Sequence, residues 1–291
     1  MGLELVGHLL TWAVRGVFVL YAGATLLLLV AIARVKWLLA ERARDEAATA
    51  RYRAAAAHFE KRCNTVAGET ILRTVDNVEG LLLLKVRPKR FNPYDQNAED
   101  PYGQDLRGDG YIISFLDGRN EKGSLVENFP HDPADRYLEP WKRHRIAVKW
   151  GYRYVDAVDP KDGKRYRYTA YMDEVWKHNP AYLEGVLRFT LRKQPAPEPP
   201  PRYGVTYEDI TTPEERAVWI AGSSLKVIDL HTHEVIAERI GYLFDRGMGS
   251  KGGARAPWEQ ARKWSCPQAP RFAQAREFVE KVLRIKQGDD R

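Results

Sequence analysis

The sequence predicts an α+β protein: a single N-terminal transmembrane helix and helical stalk, then a mostly antiparallel β-hairpin domain with a C-terminal helix. Three observations carry this prediction. Residues 16–33, GVFVLYAGATLLLLVAIA, form an apolar run without a charged side chain. Residues 37–62 are rich in Ala, Glu and Arg and contain neither Gly nor Pro, which is the composition of a helix. After Cys63, short β-favouring runs alternate with turn residues, most clearly around Pro160-Lys161-Asp162-Gly163.

As a helix, residues 16–33 would span about 27 Å, close to the thickness of a bilayer's hydrocarbon core. Arg15 and Arg34 bracket the run. The expected organisation is a tail and transmembrane helix over 1–39, a helical stalk over 40–62, and a soluble α+β domain over 63–291. Within the last, the stiff connector QPAPEPPP at 194–201 either divides two lobes or is an excursion within one domain. The net charge of +7 is unevenly placed. Between Arg34 and Arg62 stand eight basic and four acidic residues; from Cys63 onward the balance is 37 to 34. The basic band therefore suits anionic lipid headgroups beside the bilayer, and nucleic acid is not an expected partner of the soluble part.

Two signals disagree on orientation. Counting flanking basic residues puts the large domain in the cytoplasm. Alternatively, Arg15 ends an n-region, Val17 to Val30 form an apolar h-region, and Ala31-Ile32-Ala33 is an A-x-A site. The basic residues just beyond that site disfavour cleavage, so this reading is an uncleaved signal-anchor with the domain exported.

Along the soluble part, Thr70 to Val75 and Leu81 to Arg87 read as strands joined in a hairpin across Asp76 to Gly80. Leu81 to Leu84 read as a buried strand, being bounded by Gly80 and Pro88. Residues 88–110 form a long loop, Tyr111 to Leu116 a short ordered element, and 117–150 a second irregular region. Tyr152 to Asp159 and Lys164 to Tyr171 form the clearest hairpin. Val186 to Lys193 and Tyr203 to Tyr207 are further strands. Thr212 is the expected cap of a helix that starts at Pro213. Leu225 to Leu230 and Val235 to Phe244 form a second hairpin across His231 to Glu234. A Gly-rich loop over 245–257 precedes an amphipathic helix over Arg271 to Ile285, with Phe272, Ala275, Phe278, Val279 and Val282 on one face.

None of the patterns that suggest chemistry meets its own requirements. Gly247-Met248-Gly249-Ser250-Lys251-Gly252 matches the dinucleotide fingerprint, but no β-α-β unit with a later acidic residue follows it. His231 and His233, with Glu234 nearby, could face one side of a strand, yet a zinc site needs a further ligand that no nearby His supplies. Asp95, Asn97, Glu99, Asp100, Asp105 and Asp109 crowd one loop with hard oxygen ligands, but Asp100 stands where the calcium loop needs its turn glycine. Tyr152, Tyr154, Tyr166 and Tyr168 alternate with Arg153, Arg165 and Arg167. Strand alternation then predicts cross-strand Tyr pairs in a core, with Arg facing water. Ser223 and Ser224 lack a recognisable catalytic context, and Glu214-Glu215 fits a helix first turn. No catalytic, metal or cofactor residue is assigned.

The two cysteines are too few for a disulfide scaffold or a structural zinc site. Cys63 ends the stalk and Cys266 precedes the final helix. A Cys63–Cys266 bridge would tie the two ends of the domain, and such a bond needs an oxidising compartment.

Four blocks, CNTVAGETILRTVDNVEGLLLLKVRP from Cys63, DPYGQDLRGDGYI from Asp100, YRYVDAVDPKDGKRYRYT from Tyr152 and PRYGVTYEDITTPEERAVWIAGSSLKVIDLHTHEVIAERIGYLFD from Pro201, together resemble an uncharacterised family of bacterial exported or membrane-anchored proteins. The resemblance covers about residues 60–285 and implies location, not activity. The expectation is a single-pass inner-membrane protein with a periplasmic domain, the cytoplasm being the alternative. It would be an envelope module that binds a protein partner or serves assembly or immunity without catalysis. The alternative function is a periplasmic hydrolase acting on envelope material.

Overall fold

A computed structural model describes residues 2–104, 106–117, 150–182, 184, 188–268 and 274–286, with side chains from Thr25 onward. The chain divides into two units, residues 1–54 and residues 55–291. Helix α1, Gly2–Thr65, runs without a break through the first and supplies its last turns to the second. In the first unit the described side chains are exposed almost throughout, including Leu26, Leu29, Trp37 and Leu39. The expected membrane span falls partly on residues 1–24, whose side chains lie outside the described residues. Among the described residues, no helix is long and apolar enough to cross a membrane.

The second unit is α+β. Its strands are β1 Gly68–Ile71, β2 Val75–Val78, β3 Gly80–Leu83, β4 Tyr154–Val158, β5 Arg165–Asp173, β6 Arg188–Pro195, β7 Tyr203–Asp209, β8 Ile220–Asp229, β9 Glu234–Phe244, β10 Ser265–Cys266 and β11 Leu283–Ile285. Its further helices are α2 Asp109–Leu116, α3 Pro213–Ala217, α4 Pro257–Ala261 and α5 Gln274–Val282. Nine strands make one mostly antiparallel sheet, in the order β1-β9-β8-β7-β3-β4-β5-β6, with β10 also on β9; β2 and β11 pair separately.

The two clearest hairpins form as the turn chemistry predicts. Strands β4 and β5 pair antiparallel across the Pro160–Gly163 turn. Strands β8 and β9 pair over almost their full lengths. The third expected hairpin does not form. Strand β1 pairs with β9, β2 lies parallel to β11, and β3 lies parallel to both β4 and β7. Residues Asp76 to Val78, read as a turn, are themselves strand. The buried Leu run explains why β3 goes elsewhere. All four residues of β3 are buried, the pattern of a central strand with parallel neighbours rather than of a half-exposed hairpin arm.

Helices α2 and α5 cover one face of the sheet. Leu81, Leu83, Val155, Val205 and Val227 of the strands pack with Tyr111, Phe115, Phe278, Val279 and Val282 of the helices. Each such burial contributes about 1.5–3 kcal/mol. The short element expected at Tyr111 is thus a helix. The expected closing helix is shorter than its apolar pattern: it ends at Val282, and Leu283–Ile285 continue as β11. Phe272 lies outside the described residues. A smaller cluster packs Trp219 against Trp258, ring centroids 4.9 Å apart, with Tyr102 and Leu243. Tyr102 lies where a Cβ on Gly241 would stand, so Gly241 is needed for that ring to reach β9. Gln194 and Pro195, the first residues of the Pro-rich connector, belong to β6, and β7 beyond the connector lies in the same sheet.

The irregular region expected at 117–150 lies outside the described residues except at its ends, and those ends are close. Gly151 donates to the Leu116 carbonyl at 3.0 Å and Tyr152 to the Phe115 carbonyl at 2.8 Å. Arg276 of α5 holds this junction. Its guanidinium is buried and donates to the carbonyls of Ser114, at 2.6 Å, and Asp117, and to Glu280 at 2.7 Å. It thereby satisfies carbonyls at the C-terminus of α2 that have no partner within the helix. Tyr152 adds a bond from its hydroxyl to the Leu283 carbonyl at 2.6 Å. Arg276→Met would keep the aliphatic stem but remove the buried donor to the Ser114 and Asp117 carbonyls, and losing a hydrogen bond from a charged group costs about 1.5–3 kcal/mol. Urea denaturation of the full chain is expected to show a loss of at least about 2 kcal/mol. A loss below about 0.5 kcal/mol would contradict this role.

Candidate functional site

Ionisable and sulfur groups from distant segments gather at the seam where the last turns of α1 meet the sheet within the second unit. Ala55, His58, Phe59, Arg62 and Cys63 recur at intervals of three and four, so they lie on one side of the helix. Ala55 and Phe59 are buried, and the Phe59 ring sits 5.7 Å from that of Phe244 on β9. Arg62 stacks over the Tyr242 ring at 5.6 Å. Cys63 is bonded to Cys266, with Cα atoms 5.6 Å apart, inside the range that disulfide geometry allows. Cys266 belongs to β10 and pairs with Tyr242, so the bond ties the helix end directly to the sheet.

Glu215 is the polar centre of the seam. It opens α3 in a capping box: its amide donates to Thr212 Oγ1 at 3.2 Å, and its Oε2 accepts from the Thr212 amide at 3.0 Å. The expected cap at Thr212 and start at Pro213 are therefore present. Its other oxygen, Oε1, meets His58 Nε2 at 2.8 Å and accepts from Arg62 Nε at 2.7 Å. Burial alone would raise its pKa, but these donors and the charge of Arg62 outweigh it and hold the carboxyl below its ordinary value. A carboxylate with both oxygens committed in this way serves as an anchor, not as a free general base.

The other sequence candidates resolve into scaffolding of the same kind. In the Gly-rich fingerprint, the amides of Gly247 and Gly249 donate to Asp245, at 3.2 and 2.8 Å, and Arg255 pairs with the same buried carboxylate. Donors that could cradle a phosphate are thus turned onto the chain's own acid. The loop carboxylates are likewise engaged. Glu99 pairs with Lys85, Asp109 with Lys89, and buried Asp100 with buried Arg87, while Asp95 accepts from the Asn97 amide. Burial pushes the Asp100 carboxyl up, against the pull of the Arg87 guanidinium. Asp105 lies outside the described residues. Among the described residues, no three His, Cys, Asp or Glu are grouped so as to hold a metal ion.

The Tyr–Arg hairpin differs from its expected pattern. Arg165 and Arg167 do not simply face water; both clamp fully buried Asp156, with contacts at 2.6 and 2.7 Å. Tyr154 lies on their side of the sheet, 3.7 Å beneath the Arg167 guanidinium. Tyr166 and Tyr168 stand opposite Ala157 and Val155, not opposite tyrosines, and Tyr152 enters the core before the strand begins. The cause is Asp156: an acid inside β4 draws the arginines of β5 to its own face. Ser223 and Ser224 lie within β8, three and four residues beyond its start at Ile220, and Ser224 donates to Glu238 at 2.6 Å.

Sequence reasoning missed the acids that organise the turns. His231 and His233 are exposed in the β8–β9 turn, which is set by buried Asp229. Its Oδ1 accepts from the His231 amide at 3.2 Å, while Arg202 and Arg73 approach Oδ2 at 2.8 and 2.6 Å. Asp229 and Asp245 share a readable signal: each ends or follows a long apolar strand, and each accepts from the amide two residues on, as Asx turns do.

Compared with known proteins, the chain matches no family model, no curated protein and no solved structure.

The bond from Arg202, aided by the His231 amide and the charges of Arg202 and Arg73, outweighs burial and lowers the Asp229 pKa from 3.8 to about 2. Its contribution to stability is complete above the unfolded value near 4 and is lost as pH falls toward 2. The melting temperature of the wild type is expected to fall more steeply between pH 4 and pH 2 than that of Asp229→Asn. Parallel profiles for the two proteins would contradict this.

Proposed function

We propose that this is a single-pass protein of the bacterial inner membrane, anchored through residues 16–33, whose folded domain lies in the periplasm and binds a protein partner without catalysis. An assembly or immunity role fits such a module. The observation that carries the reading is the Cys63–Cys266 bond, because disulfides persist in oxidising compartments and are rare in the cytosol. The anchor is supported by the charge-free run at 16–33 and by the exposed Leu, Val and Trp side chains that continue it to Leu39. The basic residues between Arg34 and Arg62 suit anionic headgroups. The resemblance of residues 60–285 to exported proteins points the same way.

Binding rather than catalysis is favoured by the state of the ionisable groups. Asp100, Asp156, Glu215, Asp229 and Asp245 are all buried and all paired with arginine. Groups committed to ion pairs hold the fold together and are poorly placed to exchange protons with a substrate.

Alkaline phosphatase fused after Arg291 folds only in an oxidising compartment and is expected to be active in intact cells. β-Galactosidase fused at the same point is expected to be inactive. The reverse pair of results would move the domain to the cytoplasm and give the decision to the flanking positive charges.

A further inference from the structure

Strand β6 ends the nine-stranded sheet, and among the described residues nothing pairs with its outer side. Its register on β5 fixes which groups are free. Ala196 donates to the Arg165 carbonyl at 3.1 Å, so these two face each other as a hydrogen-bonded pair. Antiparallel alternation then turns the amides and carbonyls of Gln194, Arg192 and Thr190 toward β5, and those of Phe189, Leu191 and Lys193 outward. Pro195, which has no N–H to offer, falls in the outward set, as edge strands tolerate.

The side chains differ between the two faces of this edge. Phe189 and Leu191 lie on the core face, with the Trp150 ring 5.7 Å from Phe189. Arg188, Thr190 and Arg192 lie on the other. Among the described residues, neither Arg188 nor Arg192 has a carboxylate partner: Arg188 donates to the Tyr182 hydroxyl, and Arg192 rests 5.1 Å from the Tyr171 ring centroid. Two copies of β6 side by side would crowd these arginines and both copies of Lys193 together, which disfavours self-pairing. An extended segment with aliphatic side chains on one face and acidic ones on the other would complement both faces.

We propose that β6 receives an additional strand from an acidic–aliphatic segment of a partner protein, which adds to the sheet by backbone hydrogen bonds at Phe189, Leu191 and Lys193. This deepens the partner-binding reading and rests on it, but the test below is independent of compartment and anchor.

The probes are two blocked heptapeptides, one alternating Glu with Val and one alternating Lys with Val, added to the full chain in detergent micelles. Amide hydrogen exchange at Phe189, Leu191 and Lys193 is the readout. These amides are expected to exchange rapidly in the free protein and at least tenfold more slowly with the Glu peptide, but not with the Lys peptide. Leu191→Pro, which removes an outward donor, should abolish the effect while leaving the circular dichroism unchanged. If that variant does not fold, Arg192→Glu decides, since it should weaken the response to the Glu peptide and create one to the Lys peptide. Amides already protected in the free protein, no protection by the Glu peptide, or equal protection by both peptides would each overturn the proposal. A periplasmic, partner-binding domain could survive that failure, because another surface could then carry the partner.

Discussion

The attachment of the last turns of α1 to β9, β10 and α3 is the constraint on which the second unit depends. Three kinds of bond meet there: the apolar contact of Phe59 with Phe244, the buried Glu215 held by His58 and Arg62, and the Cys63–Cys266 disulfide. The first two stabilise the folded seam directly. The third acts largely on the unfolded chain: closing a loop across a separation of 203 residues contributes about 5 kcal/mol on the chain-entropy model. Because Cys266 lies just before α5, the bond bounds nearly the whole sheet between the end of one helix and the approach to another.

Much of this was legible in the sequence where local chemistry decides the outcome. The Asp162-Gly163 turn, the cap at Thr212 with Pro213 behind it, and the helix-forming run before Cys63 all specify structure within a few residues, and all appear as expected. The disulfide was legible for another reason: two cysteines placed near the ends of one domain leave one intramolecular pairing. The failures are cases where distant partners override local pattern. Residues 70–87 carry a hairpin signal, but Leu81 and Leu83 are completed by β4 and β7, from parts of the chain about seventy and one hundred and twenty residues away. Leu283 to Ile285 continue a helical apolar pattern, yet β2 offers them a strand partner.

The buried acids were the hardest to foresee, and two of them, Asp229 and Asp245, set the geometry of the suggestive motifs. An aspartate in a sequence reads as solvent-exposed unless its arginine is known; that arginine stands 156 residues away for Asp229 (Arg73), 13 for Asp100 (Arg87) and 10 for Asp245 (Arg255). A buried carboxylate left without its guanidinium is strongly destabilising, so each pair fixes the stretches of chain it joins. The same pairs take up the amide donors of the Gly-rich loop and set the His231–His233 turn.

The tie of α1 to the sheet and the proposed periplasmic location require that Cys63 and Cys266 be joined in the protein as it stands in the cell. This is tested most directly by blocking free thiols in intact cells, digesting the purified chain without reductant and identifying its cysteine peptides by mass spectrometry. One peptide pair linked through Cys63 and Cys266 is expected, with neither residue alkylated until reductant is added. Recovery of both cysteines already alkylated, with no linked pair, would contradict it.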